Sequence, residues 1–237
     1  MTDTETLTPA APPAEATNAH ARGRRPKQNA EPRARKTHPV LEKLFELYPK
    51  MFGARFLPMK LGVFQDLMAQ HPDLFKKEDL KVALGLHARS TRYLEAVAAG
   101  HQRHDLQGVA IEPVSPEHVH HAILEVFKRR QSRSAEDLRP QVVARVVTAI
   151  EASGLGREDY AVRVRTQDET TNALLDEAVA ELGRQAAKRE ALLRAFEASG
   201  KSEAEFADMY GMKPNEVASA LARARANKAS APVTATE

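Results

Sequence analysis

PMKLGVFQDL (residues 58–67), ALGLHARSTRYLEAV (83–97) and HQRHDLQG (101–108) are the segments whose reading decides the fold. Proline fixes φ and suits a first helical position, so Pro58 predicts a helix start. Lys60 would lie in its first turn, with Leu61, Phe64, Leu67 and Met68 along one face. The spacing predicts another helix over 77–87 that buries Leu80, Ala83, Leu84 and Leu86. Ser90 suits the N-cap of a helix over 91–99, which Gly100 would end. The period then changes, and Gln107-Gly108 reads as a turn between two short extended pieces, 103–106 and 109–111.

Working outward, Val40, Leu41, Leu44, Phe45, Leu47 and Tyr48 recur at helical spacing until Pro49 closes the run. Downstream, Ser115-Pro116 is a strong helix start, followed by Val119, Ala122, Ile123, Val126 and Phe127 and a basic end at Lys128, Arg129 and Arg130. The core domain therefore spans 38–133 as four helices, a hairpin and a helix. Residues 1–37 are rich in Pro, Ala, Thr and Glu and then turn basic through Arg22, Arg24, Arg25, Lys27, Arg33, Arg35 and Lys36. Too few apolar side chains are present there to offset the ordering entropy, so a disordered basic arm is expected. A second disordered stretch is expected at 227–237.

Residues 134–226 form a second, helical module. Val142, Val143, Val146, Val147 and Ile150 make one apolar face that Gly154 ends. The alternation at 160–164 reads as a short strand. Leu175, Val179, Leu182, Ala186, Leu193 and Phe196 mark a long helix over 168–198, its seam interrupted by Arg189. A coiled-coil dimer, a protein partner, or packing on the preceding helix would each cover that seam.

The 237 residues carry a formal net charge of +3 and no cysteine, which excludes disulfides, thiol nucleophiles and cysteine zinc sites. No run of about 18 apolar residues is present, and the N-terminal residues lack an export pattern. A cytoplasmic protein with no membrane association is expected. Lys+Arg against Asp+Glu is 7 to 4 in residues 1–37, 14 to 11 in 38–133 and 13 to 16 in 134–226. The positive excess lies where a polyanion would be met, and the C-terminal module is a poor phosphate binder by that measure.

The three opening segments, with their flanks over about 39–130, resemble the ProQ/FinO family of bacterial RNA-binding proteins. The resemblance implies a mostly α fold: a ProQ/FinO-like helical domain with a small β-hairpin, here followed by a helical C-terminal module. It implies an RNA chaperone that grips the base of a stem-loop and its 3′ tail. Its partners would be structured RNAs, namely small regulatory RNAs and mRNA 3′ ends, in post-transcriptional regulation. Position by position, it implies RNA contact by Lys60, Lys77, Lys81, Arg92, Tyr93 and Arg103. Arg89 is an additional basic candidate. This chain departs from the family pattern at Gly85, where a basic residue is frequent, and at Thr91, where an aromatic is common.

Elementary physics is consistent with that assignment. The first turn at Ser90-Thr91-Arg92-Tyr93 has unpaired amides and the positive end of a helix dipole, which favour an anion. Arg92 and Arg103 would add fork-shaped donors, and Tyr93 a ring for a terminal nucleotide. Lys77 and Lys81 share a helix face suited to one strand of a duplex. Structural roles compete at each position: a solvated face for the lysines, a buried ring for Tyr93, an ion pair of Arg92 with Glu95 or Asp105, and a hairpin position for Arg103.

Other chemistries find little support. His118, His120 and His121 lie together without a clustered acidic partner, so no metal is expected. Carboxylate pairs such as Glu78-Asp79 and Asp176-Glu177 fall on polar helix faces. No nucleophile triad or phosphate-cradling glycine loop appears, so neither an enzyme nor a cofactor is expected. One rival stands in FADMYGMKPNEV (206–217), which resembles a helix-turn-helix. It would make the protein a DNA-binding transcription regulator, with Lys213, Asn215 and Ser219 opening a recognition helix and Arg223 and Arg225 near its end.

Overall fold

The structure, a computed structural model, describes residues 37–53 and 55–230. The expected N-terminal arm, apart from Thr37, and residues 231–237 lie outside the described residues. The described chain is helical except for one two-stranded antiparallel hairpin. The first part runs α1 (Pro39–Leu47), α2 (Pro49–Phe52), α3 (Val63–Gln70), α4 (Lys77–Ala88), α5 (Thr91–Ala98), β1 (Arg103–His104), β2 (Ala110–Glu112) and α6 (Pro116–Gln131). It continues through α7 (Arg139–Ser153), α8 (Arg157–Val164), α9 (Glu169–Ser199), α10 (Glu203–Met209) and α11 (Pro214–Ser230).

Three apolar clusters organise these elements. Leu44, Met51, Phe52, Leu67, Leu80 and Ala83 lie at the centre of the first, all with no exposed surface. The second gathers Val146, Tyr160, Leu175 and Ala178. The third joins the end of α9 to α10 and α11 through Leu193, Phe206, Val217 and Leu221. Helix α6 belongs to two clusters at once: Ala122 and Val126 enter the first, while Ile123 and Leu124 enter the second. A helix with apolar residues on two faces must be covered from two sides, and α5 and α7 do so.

Four local expectations are corrected. Pro49 ends α1 but also opens the single turn of α2. Pro58 starts no helix. Its carbonyl accepts from the His104 N–H at 2.7 Å, and the Lys60 N–H donates to the His104 carbonyl at 2.9 Å, so residues 58–60 lie parallel to β1. The helix waits for Gly62, whose φ of 84° suits only a residue without Cβ, and begins at Val63. Leu61 and Leu86, expected in the core, are exposed. Residues 160–164 are helical, not extended: Tyr160, Ala161 and Val164 are buried at helical spacing while Val162 is 82% exposed. A strand would have placed Val162 beside Tyr160 and Val164 on one side.

The hairpin turn is built as expected. Asp105 accepts from the Gln107 and Val109 amides at 2.9 and 2.8 Å. Gly108 sits at φ 78°, and a Cβ there would come within 3.1 Å of the Lys50 Cβ. On α9, intrachain packing against α7 and α11 covers the apolar seam. Arg189, in that seam, faces Glu151 of α7 across 3.7 Å.

Candidate nucleic-acid interface

The corner between α4 and α5 brings most of the implied residues together. Ser90 caps α5 by accepting from the Tyr93 N–H at 3.2 Å, which leaves the earlier amides of that turn for other partners. Arg129 of α6 fixes the corner from behind: its Nη1 donates to the Arg89 carbonyl at 2.8 Å and to the Thr91 hydroxyl at 3.2 Å. Thr91 therefore serves as a hydrogen-bond acceptor where an aromatic would have packed. Sequence periodicity marks Arg129 only as part of a basic helix end, because its partners lie on another helix.

Tyr93 and Arg103 meet through one residue, Met59. The Met59 N–H donates to the Tyr93 hydroxyl at 3.1 Å, and Arg103 Nη1 donates to the Met59 carbonyl at 2.9 Å. Arg103 Nη2 also lies 3.0 Å from His118 Nδ1, and its Nε faces Glu112 at 3.9 Å. The Arg103 side chain is only 11% exposed, so much of its fork is spent on holding residues 58–60 to the hairpin. Tyr93 is 8% exposed, with its ring set at an angle to His87. Burial pushes its hydroxyl pKa up, and the Met59 amide and the Arg103 charge pull it back.

His87 lies beneath this assembly against Phe52, Phe56 and Tyr93. It is 2% exposed, its Nε2 has no hydrogen-bond partner among the described residues, and burial lowers its pKa to about 4. A cation would be poorly solvated among those rings, so His87 is neutral.

The candidate cations divide into two groups. Lys77, Lys81, Arg89 and Arg92 form no ion pair among the described residues. Arg92 does not take Glu95 or Asp105; its guanidinium lies over the Phe56 ring at 5.7 Å. Glu95 pairs instead with Arg130 at 2.8 Å. Arg89 folds back over Gly85, where a Cβ would stand 3.2 Å from its Nη1. The departure at Gly85 thus makes room for a guanidinium from the next turn and keeps positive charge on that face. Lys60 belongs to the other group: it sits before α3, paired with Asp66 at 2.5 Å.

The remaining motifs are placed as follows. His118 points at Arg103 and Ser115, His120 is buried against Tyr160, and His121 is exposed. No group of three metal-ligating side chains occurs among the described residues. Helices α10 and α11 do form a helix-turn-helix around Gly211, at φ 63°. Arg225, however, pairs with Glu203 at the surface and lies over the Phe196 ring, and Lys213 faces Glu216 at 3.5 Å. Those carboxylates offset two of the cations expected to meet DNA. No helix among the described residues is long and apolar enough to cross a membrane.

Comparison with known proteins covers this same part of the chain. Residues 34–139 match the model of the ProQ/FINO family. The RNA chaperone ProQ of Shewanella frigidimarina is 35% identical over 128 residues, which are 52% of this chain and 63% of that protein. The RNA chaperone ProQ of Shewanella pealeana is 41% identical over 90 residues, 36% of this chain and 42% of that protein. This chain thus spans less than two thirds of the length of these curated relatives. Among solved structures, a FinO-like RNA chaperone from Neisseria meningitidis MC58 is 32% identical, with 36% of this chain and 88% of that chain covered and a TM-score of 0.33. A ProQ homolog from Legionella pneumophila is 26% identical, with 47% and 97% covered and a TM-score of 0.35. By family model and by sequence identity, residues 34–139 of this chain belong to the ProQ/FINO family.

Proposed function

We propose that this protein is a cytoplasmic RNA chaperone that binds structured RNAs, small regulatory RNAs and transcript 3′ ends among them, and acts by binding without chemistry of its own. The observation that carries this reading is the corner of α4 and α5. Four exposed cations lacking carboxylate partners lead along α4 to it, Lys77 in the first turn of α4, Lys81 one turn on, and Arg89 and Arg92 at the corner itself, beside a helix start whose first amides remain available. Phosphate oxygens meet both needs at once, supplying charge to the side chains and acceptors to the amides. Lys77 and Lys81 lie one turn apart on α4, so they fit one strand of a duplex. Arg92, seated on Phe56, is held for a strand end, with Tyr93 and Arg103 as the frame behind it. The names of the relatives, RNA chaperone ProQ, agree with this reading.

The test compares a terminator hairpin with and without its single-stranded 3′ tail, and a DNA duplex of equal length. Tighter binding of the tailed RNA is expected. Equal affinity for all three would remove the strand-end pocket and leave only a basic surface.

A further inference from the structure

The C-terminal module holds a cleft that the RNA reading does not use. It has a volume of about 760 Å³ and lies where α7 and α8 approach α9 and α11. Three arginines line it, Arg157, Arg189 and Arg223, against one carboxylate, Glu151. Arg189 is unusual among them. Its side chain is 15% exposed, its Nε has no hydrogen-bond partner among the described residues, and its nearest carboxylate, on Glu151, is 3.7 Å away, beyond hydrogen-bond reach. A guanidinium so placed has donors to spare, and an arginine seldom goes under cover without an acceptor.

The neighbours of Arg189 are arranged consistently. Arg157 reaches along α9 to Gly183, where a Cβ would stand 3.2 Å from the movable tip of its Nη1, while its Nε donates to Glu158 at 3.1 Å. Arg157 heads α8, whose N-cap Gly156 lines the cleft, with the first-turn carboxylates of Glu158 on Arg157 and Asp159 beside Gly156. Arg223 is exposed and forms no ion pair among the described residues. Between these cations the wall is aliphatic, from Ile150, Leu155 and Leu182. A cleft of this size with a few convergent polar groups on an apolar wall has the dimensions of a small-molecule site.

We propose that this cleft binds a free nucleotide, its phosphates on Arg157, Arg189 and Arg223 and its base against the aliphatic wall. Planar guanidinium groups match phosphate oxygens in pairs. A compact ligand fits better than an RNA strand, because the module around the cleft is net acidic, with 13 basic residues to 16 acidic ones over 134–226. Long polyanions would be repelled there, while a single phosphate chain meets only the local arginines.

Calorimetric titration of the full chain with ATP, inorganic phosphate and adenosine tests the proposal. ATP should bind, phosphate should compete weakly, and adenosine alone should not bind measurably. Arg223→Ala, at an exposed position, should lower ATP affinity about tenfold or more, and Arg223→Lys should retain part of it. Arg92→Ala, at the α4–α5 corner, and Lys81→Ala, on α4, should leave ATP binding unchanged. Failure of ATP to bind at millimolar concentration overturns the proposal. So does wild-type affinity in Arg223→Ala, loss of affinity in Arg92→Ala instead, or binding of oligonucleotides but not ATP through Arg223. Hairpin RNA binding measured on the same variants keeps failure here separate from failure of the RNA reading.

Discussion

Acid should weaken this protein well before its carboxylates titrate, and two histidines set the window. His87 on α4 and His120 on α6 are 2% and 3% exposed. Burial holds each at a pKa of about 4, helped at His120 by the charge of His121. Both are neutral in the fold, whereas in the unfolded chain each takes up a proton near the ordinary histidine value of about 6.5. The unfolded state therefore binds more protons as pH falls below 6.5, and stability is lost through that window until about pH 4 is reached. From the two pKa values, each histidine costs about 2 kcal/mol at pH 5 relative to pH 7.5, and about 3 kcal/mol once pH 4 is reached. Together they should remove about 4 kcal/mol at pH 5, a large share of an ordinary domain's stability. Urea denaturation followed by circular dichroism, repeated from pH 7.5 to 4.5, measures this directly. His87→Leu should roughly halve the slope, and it also removes an Nε2 that has no partner among the described residues. An unchanged slope in that variant, or a flat profile in the parent protein, would refute the assignment of buried neutral rings.

Further outcomes follow from single contacts. Tyr93→Phe leaves the buried Met59 N–H without its acceptor and should cost about 1–3 kcal/mol in denaturant titrations, with RNA affinity little changed for the folded fraction. Lys81→Ala should weaken hairpin binding evenly across sequences and reduce the slope of log affinity against log salt by about one, whereas Tyr93→Ala should cost selectivity for the 3′ end; identical behaviour of the two would dissolve that division. Gly85→Ala should raise stability by about 0.5–1 kcal/mol, because only the movable tip of Arg89 stands in the way of the new methyl group; a lower melting temperature would contradict this.

What the sequence made legible was local. The Ser90 cap, the proline that opens α6 and the turn at Gly108 depend on neighbours a few residues away, and each stands where the pattern puts it. The cations on α4 are equally plain, since a helix face follows from spacing alone. Residues 58–60 were not legible, because their conformation is set by pairing with His104 across the fold, against the helix-starting tendency of Pro58. The same holds for Arg103 and Arg129, whose guanidinium groups look free in sequence and are engaged by backbone carbonyls in space. At 160–164 a five-residue alternation fits a strand and a helix turn equally well, and only the cluster around Tyr160 decides between them.

Charge is where sequence counting and structure diverge most. Over 38–133 the basic excess is only 14 to 11, yet the pairing is uneven. Lys60, Arg103, Lys128, Arg129 and Arg130 each face a carboxylate, as do Arg139, Arg163, Arg165, Arg184 and Arg194 in the later helices. Exposed pairs of this kind add little stability, about 0–1 kcal/mol each, but they cancel the field of their members. The potential outside the described residues is therefore shaped by the groups left over; along α4 and at its corner with α5 the cations among them are Lys77, Lys81, Arg89 and Arg92, with Glu78 and Asp79 in the first turn of α4. Salt at physiological strength screens such charges beyond about 8 Å, so the corner acts on what touches it more than on what drifts past. An RNA must then be shaped to bring phosphates to α4 and a strand end to α5 together, and it is this double contact, more than net charge, that would separate a folded transcript from any other polyanion.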